Sequence, residues 1–166
     1  IVLRNLSLTF EELYTVLTLV EACLNSRPIT PLSSDPSDLT PLTPGHFLIG
    51  DSLVAAPQLD LTATNSGRLS RFERATQLVQ HFWQRWSKEY LSILQERAKS
   101  RTNIPDVLQP GSLVMLSENN LPPTKWELGR ILILHPGADG ITRAATVATA
   151  KSTVMRGCQP SLSATQ

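Results

Sequence analysis

The chain has 166 residues, 41% of them hydrophobic and 17% charged, with a formal net charge of +1. That length suits one ordinary domain or two small ones, and a mean hydropathy of −0.06 excludes wholesale disorder. No apolar run approaches the roughly 18–20 residues of a membrane span, and the N-terminal residues lack the pattern of a cleaved leader, so the reading is a soluble intracellular chain. Cys23 and Cys158 lie far apart in unlike contexts and read as free thiols.

The near-neutral total hides an asymmetry. Residues 1–67 carry two basic side chains against seven acidic ones, whereas residues 68–101 carry eight basic against three acidic. A basic segment this concentrated can meet phosphate or can be a solvated helix face.

In chain order, Thr9-Phe10-Glu11-Glu12 is a capping box with Leu8 and Leu13 as a hydrophobic staple. Leu13, Val16, Leu17, Val20 and Leu24 then recur at helical spacing until Pro28 stops the helix. Six prolines between Pro28 and Pro57 predict an extended connector up to residue 67. Phe47, Leu48, Ile49, Leu53 and Val54 make it too apolar for a free linker, so it should lie against a folded surface that need not belong to this chain. Asp35 and Asp38, set among Ser33, Ser34, Pro36 and Ser37, read as turn residues.

Ser70-Arg71-Phe72-Glu73 is a second capping box, and no Gly or Pro follows until after Asn103. Phe72, Ala75, Val79, Phe82, Trp86, Tyr90 and Ile93 predict the buried stripe of a helix of about 28 residues, roughly 40 Å long. Beside that stripe Arg74, Arg85, Lys88 and Lys99 fall within one arc of ~60°, bordered by Glu89 and Glu96. Trp86 and Trp126 read as core and Trp83, at the stripe's edge, as open; His81 reads as a hydrogen-bonding residue of the helix surface.

Beyond the Pro110-Gly111 turn, residues 113–116, 129–134, 141–149 and 153–155 read as short strands separated by turns, and four or five strands in about 50 residues predict a small barrel. The histidines and cysteines are too scattered for a zinc pattern, and neither a Gly-rich phosphate loop nor a nucleophile elbow is present.

Three stretches carry a family resemblance. They run from Glu21 through Asn25-Ser26-Arg27-Pro28-Ile29-Thr30-Pro31 and Asp38-Leu39 to Leu42-Thr43-Pro44-Gly45-His46; from His81-Phe82-Trp83 to Tyr90-Leu91; and from Asn120-Leu121-Pro122-Pro123 through Trp126 and Gly129-Arg130 to the turn at His135-Pro136-Gly137. In this order, over about residues 6–156, the chain resembles the integrase end of the Pol polyprotein of BEL/Pao-type LTR retrotransposons.

The resemblance implies an α+β chain. Residues 1–67 would be the last helix and extended tail of an RNase H-like integrase core, 68–103 a basic linking helix and 104–156 a C-terminal SH3-like barrel. Residues 157–166 would be a divergent tail with the last barrel strand incomplete. Ser100 and Ser112 stand where the family favours tryptophan and aspartate. Integrases of this type use two aspartates and a glutamate on two divalent ions, expected to be Mg²⁺, and all three positions would precede Ile1. Glu21 would then be a cap, hydrogen-bond or salt-bridge residue and not the catalytic glutamate.

The expected function is nucleic-acid binding and assembly for an enzyme whose carboxylates lie elsewhere. Contacts would run to the DNA backbone from Arg74, Arg85, Lys88 and Lys99, with Arg71, Arg97, Arg101, Lys125 and Arg130 as weaker members. Expected partners are DNA, the upstream integrase core and further protomers, in the nucleus or a retroelement particle. The alternative is a protein-interaction module that binds integrase protomers or chromatin with little DNA contact.

Overall fold

The computed structural model describes residues 8–56, 58–100, 108–118, 121–138, 142–157 and 162–164, with the backbone alone described at 95–100 and 162–164. It is an α+β chain with antiparallel sheets. Two compact units are interleaved in sequence: one takes residues 1–27, 44–87 and 120–125, the other residues 28–43, 88–119 and 126–166.

In the first unit, α1 (Phe10–Asn25) starts where the capping box places it. The Glu12 N–H donates to Thr9 Oγ1 at 3.3 Å and the Thr9 N–H to the Glu12 carboxylate at 2.8 Å, so two otherwise orphan donors are satisfied. Val16 and Cys23 face the interior, whereas Leu13 and Leu17 on the predicted stripe remain 36% and 54% exposed. The connector is not simply extended, because it contains α2 (Pro44–Ile49) and a 3₁₀ turn at Ser66–Arg68. Proline at the first helical position opens α2, since its missing N–H would have had no partner there. α3 (Arg71–Ser100) begins in this unit and continues into the other.

The buried face of α3 is rotated from the predicted one. Ala75, Thr76, Val79, Gln80 and Trp83 are buried, whereas Phe72 is 65% exposed and Phe82 and Trp86 are half-buried. Two glutamines cause the rotation. Gln77 Nε2 donates to the carbonyls of Leu61 and Thr64, both at 2.7 Å. Gln80 donates to the Leu59 carbonyl at 2.7 Å and accepts from the Leu61 N–H at 2.8 Å. The backbone of residues 59–64 is thus clasped to the helix, and a polar clasp of this kind leaves no trace in hydrophobic periodicity.

Residues 121–125 close the first unit. Thr124 has φ +66°, a left-handed conformation unfavourable for a β-branched residue. Its Oγ1 accepts from the Ala55 N–H at 2.9 Å, a bond that holds it there.

The second unit opens with a two-stranded ladder of β1 (Thr30–Pro31) and β2 (Pro41–Leu42). The main sheet comprises β3 (Leu113–Leu116), β4 (Glu127–Pro136), β5 (Thr142–Thr149), β6 (Thr153–Gly157) and β7 (Leu162–Ala164), in the order β6-β5-β4-β3-β7. Among the described residues it is an antiparallel sheet whose outer strands are β6 and β7. β7 lies in the segment expected to be a divergent tail, where its backbone pairs with β3 at Val114–Leu116. Val114, Leu116, Ile131, Ala145 and Val147 form the core, with Leu108, Leu134 and Val154 packed on it. A register shift between Ile131 and Ile133 leaves Leu132 and Ile133 exposed.

Gly129 is a packing requirement of this sheet. A Cβ there would sit 2.4 Å from a Val147 methyl and 2.7 Å from the Ala148 carbonyl oxygen. Gly129→Ala is therefore expected to cost about 1–3 kcal/mol, read from the urea unfolding midpoint. An unchanged midpoint would mean that β4 and β5 separate freely at this point.

Candidate nucleic-acid interface

The expected contact residues divide into three groups. Arg74, Arg85 and Lys88 are all exposed along α3, and His81, also exposed, falls in the same arc at ~100° per residue. Arg74 Nε donates to the Leu69 carbonyl at 3.1 Å, which anchors the side chain near the helix start. The helix start itself is fixed by the second capping box, with Ser70 N–H to the Glu73 carboxylate at 2.8 Å and Glu73 N–H to Ser70 Oγ at 3.3 Å. These bonds hold the Glu73 carboxyl below the usual carboxylate range. Sequence reasoning set His81 at the helix surface as a hydrogen-bonding residue and did not count it with the cations.

The second group contains the weaker candidates and Lys99. Arg71, its side chain 76% exposed, lies 3.7 Å from a Glu12 carboxylate oxygen, a surface pair of small worth. Lys125 is exposed in the first unit. Lys99, Arg97 and Arg101 fall outside the residues whose side chains are described. The exposed cations Arg143 and Lys151 were not among the expected contacts, and Arg156 is paired with Glu118.

Arg130 is a correction. It is only 7% exposed, and its guanidinium is spent on carbonyl groups of its own unit. Nη1 donates to Gly111 at 2.9 Å, Nη2 to Asp38 at 2.9 Å and to Ser33 at 3.2 Å, and Nε to Asp38 at 3.2 Å. With four of its five donors committed and the side chain buried, it has little to offer phosphate. It fastens the Ser33–Asp38 turn and the Gly111 turn, where φ is +89°, to β4.

The acidic candidates resolve as turn residues. Asp35 accepts from the Ser37 N–H and hydroxyl, each at 2.8 Å, and Asp38 accepts from the Thr40 N–H at 2.8 Å. Ser37, through its N–H and hydroxyl, holds Asp35 below the usual range, and Thr40, through its side chain and then its N–H, does the same for Asp38, with the charge of Arg130 a lesser contribution to both. Carboxylates engaged in local turns beside a guanidinium do not suit a divalent ion. Among the described residues no cluster of three or more His, Cys, Asp or Glu side chains is placed to hold one. Glu21 is exposed on α1 without the cap, hydrogen bond or ion pair expected of it among the described residues.

Trp83, left open at the stripe's edge, is the more deeply buried of the two neighbouring tryptophans. Trp83 is 2% exposed, while Trp86 is half-buried and stacks on Phe82, with centroids 6.1 Å apart and planes at 9°. In the second unit Tyr90 meets Trp126 edge-on at 5.7 Å and its hydroxyl donates to the Pro28 carbonyl at 3.2 Å.

Cys23 is a free thiol, 1% exposed, and burial pushes it up to about 12. Because the folded thiol keeps its proton where the unfolded one loses it, this contribution to stability is complete below about pH 9 and lost as pH rises toward 12. Cys23→Ala should flatten the alkaline limb of a stability-against-pH curve; an identical limb would place the titration elsewhere.

A family model described as "Family of unknown function (DUF5641)" matches residues 70–161, more than half of the chain. The chain belongs to that family. The span matched by DUF5641 opens at Ser70, the cap of α3, and takes in the exposed basic row, Arg130 and strands β3 to β6. No curated protein matches the chain, and no solved structure matches it. No helix among the described residues is long and apolar enough to cross a membrane.

Proposed function

We propose that this chain is the C-terminal part of a BEL/Pao-type LTR retrotransposon integrase and contributes DNA binding and assembly to integration. The observation that carries the reading is the row of exposed cations on α3, Arg74, Arg85 and Lys88, with His81 between them. A rigid helix presenting charges along one face suits a phosphate backbone, and the contacts would be nearly blind to base sequence. The order of the main sheet, a four-stranded meander whose fifth strand returns to the first, is compatible with an SH3-like barrel and supports the family reading.

In this reading the metal-binding carboxylates, and the Mg²⁺ they would hold, belong to a preceding segment of polypeptide. The integrase acts as an oligomer in the nucleus or in a retroelement particle. The test is binding of duplex DNA by the whole chain over a range of salt. A steep loss of affinity with salt is expected, and no binding at low salt would overturn the reading.

The alternative, a protein-interaction module, rests on a separate observation. Phe10, Tyr14 and Leu17 on α1 and Phe47, Leu48 and Ile49 on α2 are between 54% and 78% exposed. Apolar side chains in this number mark a surface that is covered in an assembly. The isolated chain should gain mass with concentration in sedimentation, and Phe47→Ser with Leu48→Ser should reduce that gain. A chain that stays monomeric at all concentrations would leave the apolar residues without this role.

A further inference from the structure

The first unit contains a cleft that neither reading uses. It has a volume of about 160 Å³ and lies between residues 58–62, the α3 positions 80–84 and residues 121–123. That is room for about five waters, and nucleotide-sized ligands need roughly twice as much. The space suits one long side chain.

The cleft is preformed. Gln77 and Gln80 fasten the 59–64 backbone to α3 through the four hydrogen bonds described above, and Trp83, 2% exposed, is fixed in the wall. Pro122 and Pro123 supply a stiff wall of their own. Little ordering remains for a ligand to impose.

Its polar lining offers the Asp60 carboxylate and the side-chain amides of Gln58 and Gln84, whose carbonyl oxygens accept. Asp60 uses one carboxylate oxygen, Oδ1, to accept from the Thr62 N–H at 3.0 Å and the Thr62 hydroxyl at 2.6 Å, and its second oxygen has no partner among the described residues. Those two bonds hold the carboxyl below the usual range, so it is charged at neutral pH. The side-chain amides of Gln58 and Gln84, which also line the cleft, have no partner among the described residues. An anionic ligand would meet Asp60 unfavourably.

We propose that this cleft takes an arginine side chain presented by a partner peptide. A guanidinium offers five donors and no acceptor, which matches one carboxylate oxygen and two amide oxygens, and its flat faces lie well against an indole and prolyl rings. Lysine, a compact and strongly hydrated charge, matches the same set less well. The inference rests on other side chains than the DNA reading, although the charge of Asp60 is felt by His81 of the basic row.

The test is a titration of the whole ¹⁵N-labelled chain with a capped Gly-Ala-Arg-Ala-Gly peptide. The readouts are the Thr62 backbone amide and the Gln84 side-chain amide. Both resonances should shift, and the same peptide with citrulline for arginine, uncharged but nearly identical in shape, should bind about tenfold more weakly. Asp60→Asn keeps an oxygen for the Thr62 bonds and should weaken the arginine peptide by a similar factor while leaving that of the citrulline peptide unchanged. Gln84→Ala, with no role in holding the loop, should lower affinity for the arginine peptide by a smaller factor. Equal binding of the two peptides, unchanged affinity in Asp60→Asn, or no shift with peptide up to about 10 mM would overturn the proposal.

Discussion

Arg130→Met should lower the free energy of unfolding by about 3–5 kcal/mol without altering the salt dependence of DNA binding. Methionine preserves most of the volume, so the loss is not one of packing. It leaves the carbonyls of Ser33, Asp38 and Gly111 facing a thioether in a site where the present side chain is 7% exposed. A buried acceptor deprived of its donor costs about 1–3 kcal/mol, and those nearest the surface recover part of this from water. Arg130→Lys should fall between parent and methionine, because an ammonium keeps the charge but cannot span three carbonyls from one planar fork. Urea unfolding of the three proteins supplies the comparison. A methionine variant within about 0.5 kcal/mol of the parent would mean that the two turns hold themselves in place.

Local chemistry made part of this fold readable in advance. Both capping boxes, Thr9 with Glu12 and Ser70 with Glu73, form as their spacing requires, because an N-cap is decided by residues three apart. Strands β3 to β6 follow from short apolar and β-branched runs between turn signals. The misreadings have a common physical origin, namely side chains whose partners are distant in sequence. Gln77 and Gln80 turned the buried face of α3 toward Trp83 by bonding a loop at least 13 residues away. Arg130 joins β4 to a turn more than 90 residues earlier, and an arginine in a basic chain carries no local mark of that partner. The connector at 28–67 holds β1, β2 and α2, since frequent prolines limit but do not forbid short elements that begin or end at a proline. Of the candidate interface, the cations on α3 were legible because position on a helix is periodic, whereas the commitment of Arg130 was not.

That distinction separates a stabilising cation from a DNA-contacting one, and salt dependence can tell them apart. The chain with Arg74, Arg85 and Lys88 changed together to Gln should bind duplex DNA with a slope of log K against log salt flatter by about 2.7, at close to 0.9 for each phosphate no longer neutralised. Extending the change to Lys99 should bring the flattening to about 3–4. Glutamine is nearly as good a helix former as arginine or lysine, so α3 should keep its helicity by circular dichroism and its cap at Ser70 should be untouched. Arg74 does give up its bond to the Leu69 carbonyl, a partly exposed interaction whose removal should move the unfolding midpoint only slightly. Lys125→Gln, a single exposed charge in the first unit, should flatten the slope by no more than about 0.9. If the α3 variant kept the parental slope while Lys125→Gln, or Arg143→Gln with Lys151→Gln, flattened it, the DNA-binding surface would lie off the helix. If all variants bound as the parent does, backbone recognition by these cations would be ruled out. The exposed apolar residues of α1 and α2 would then define the working surface, and assembly with other protein would be the function.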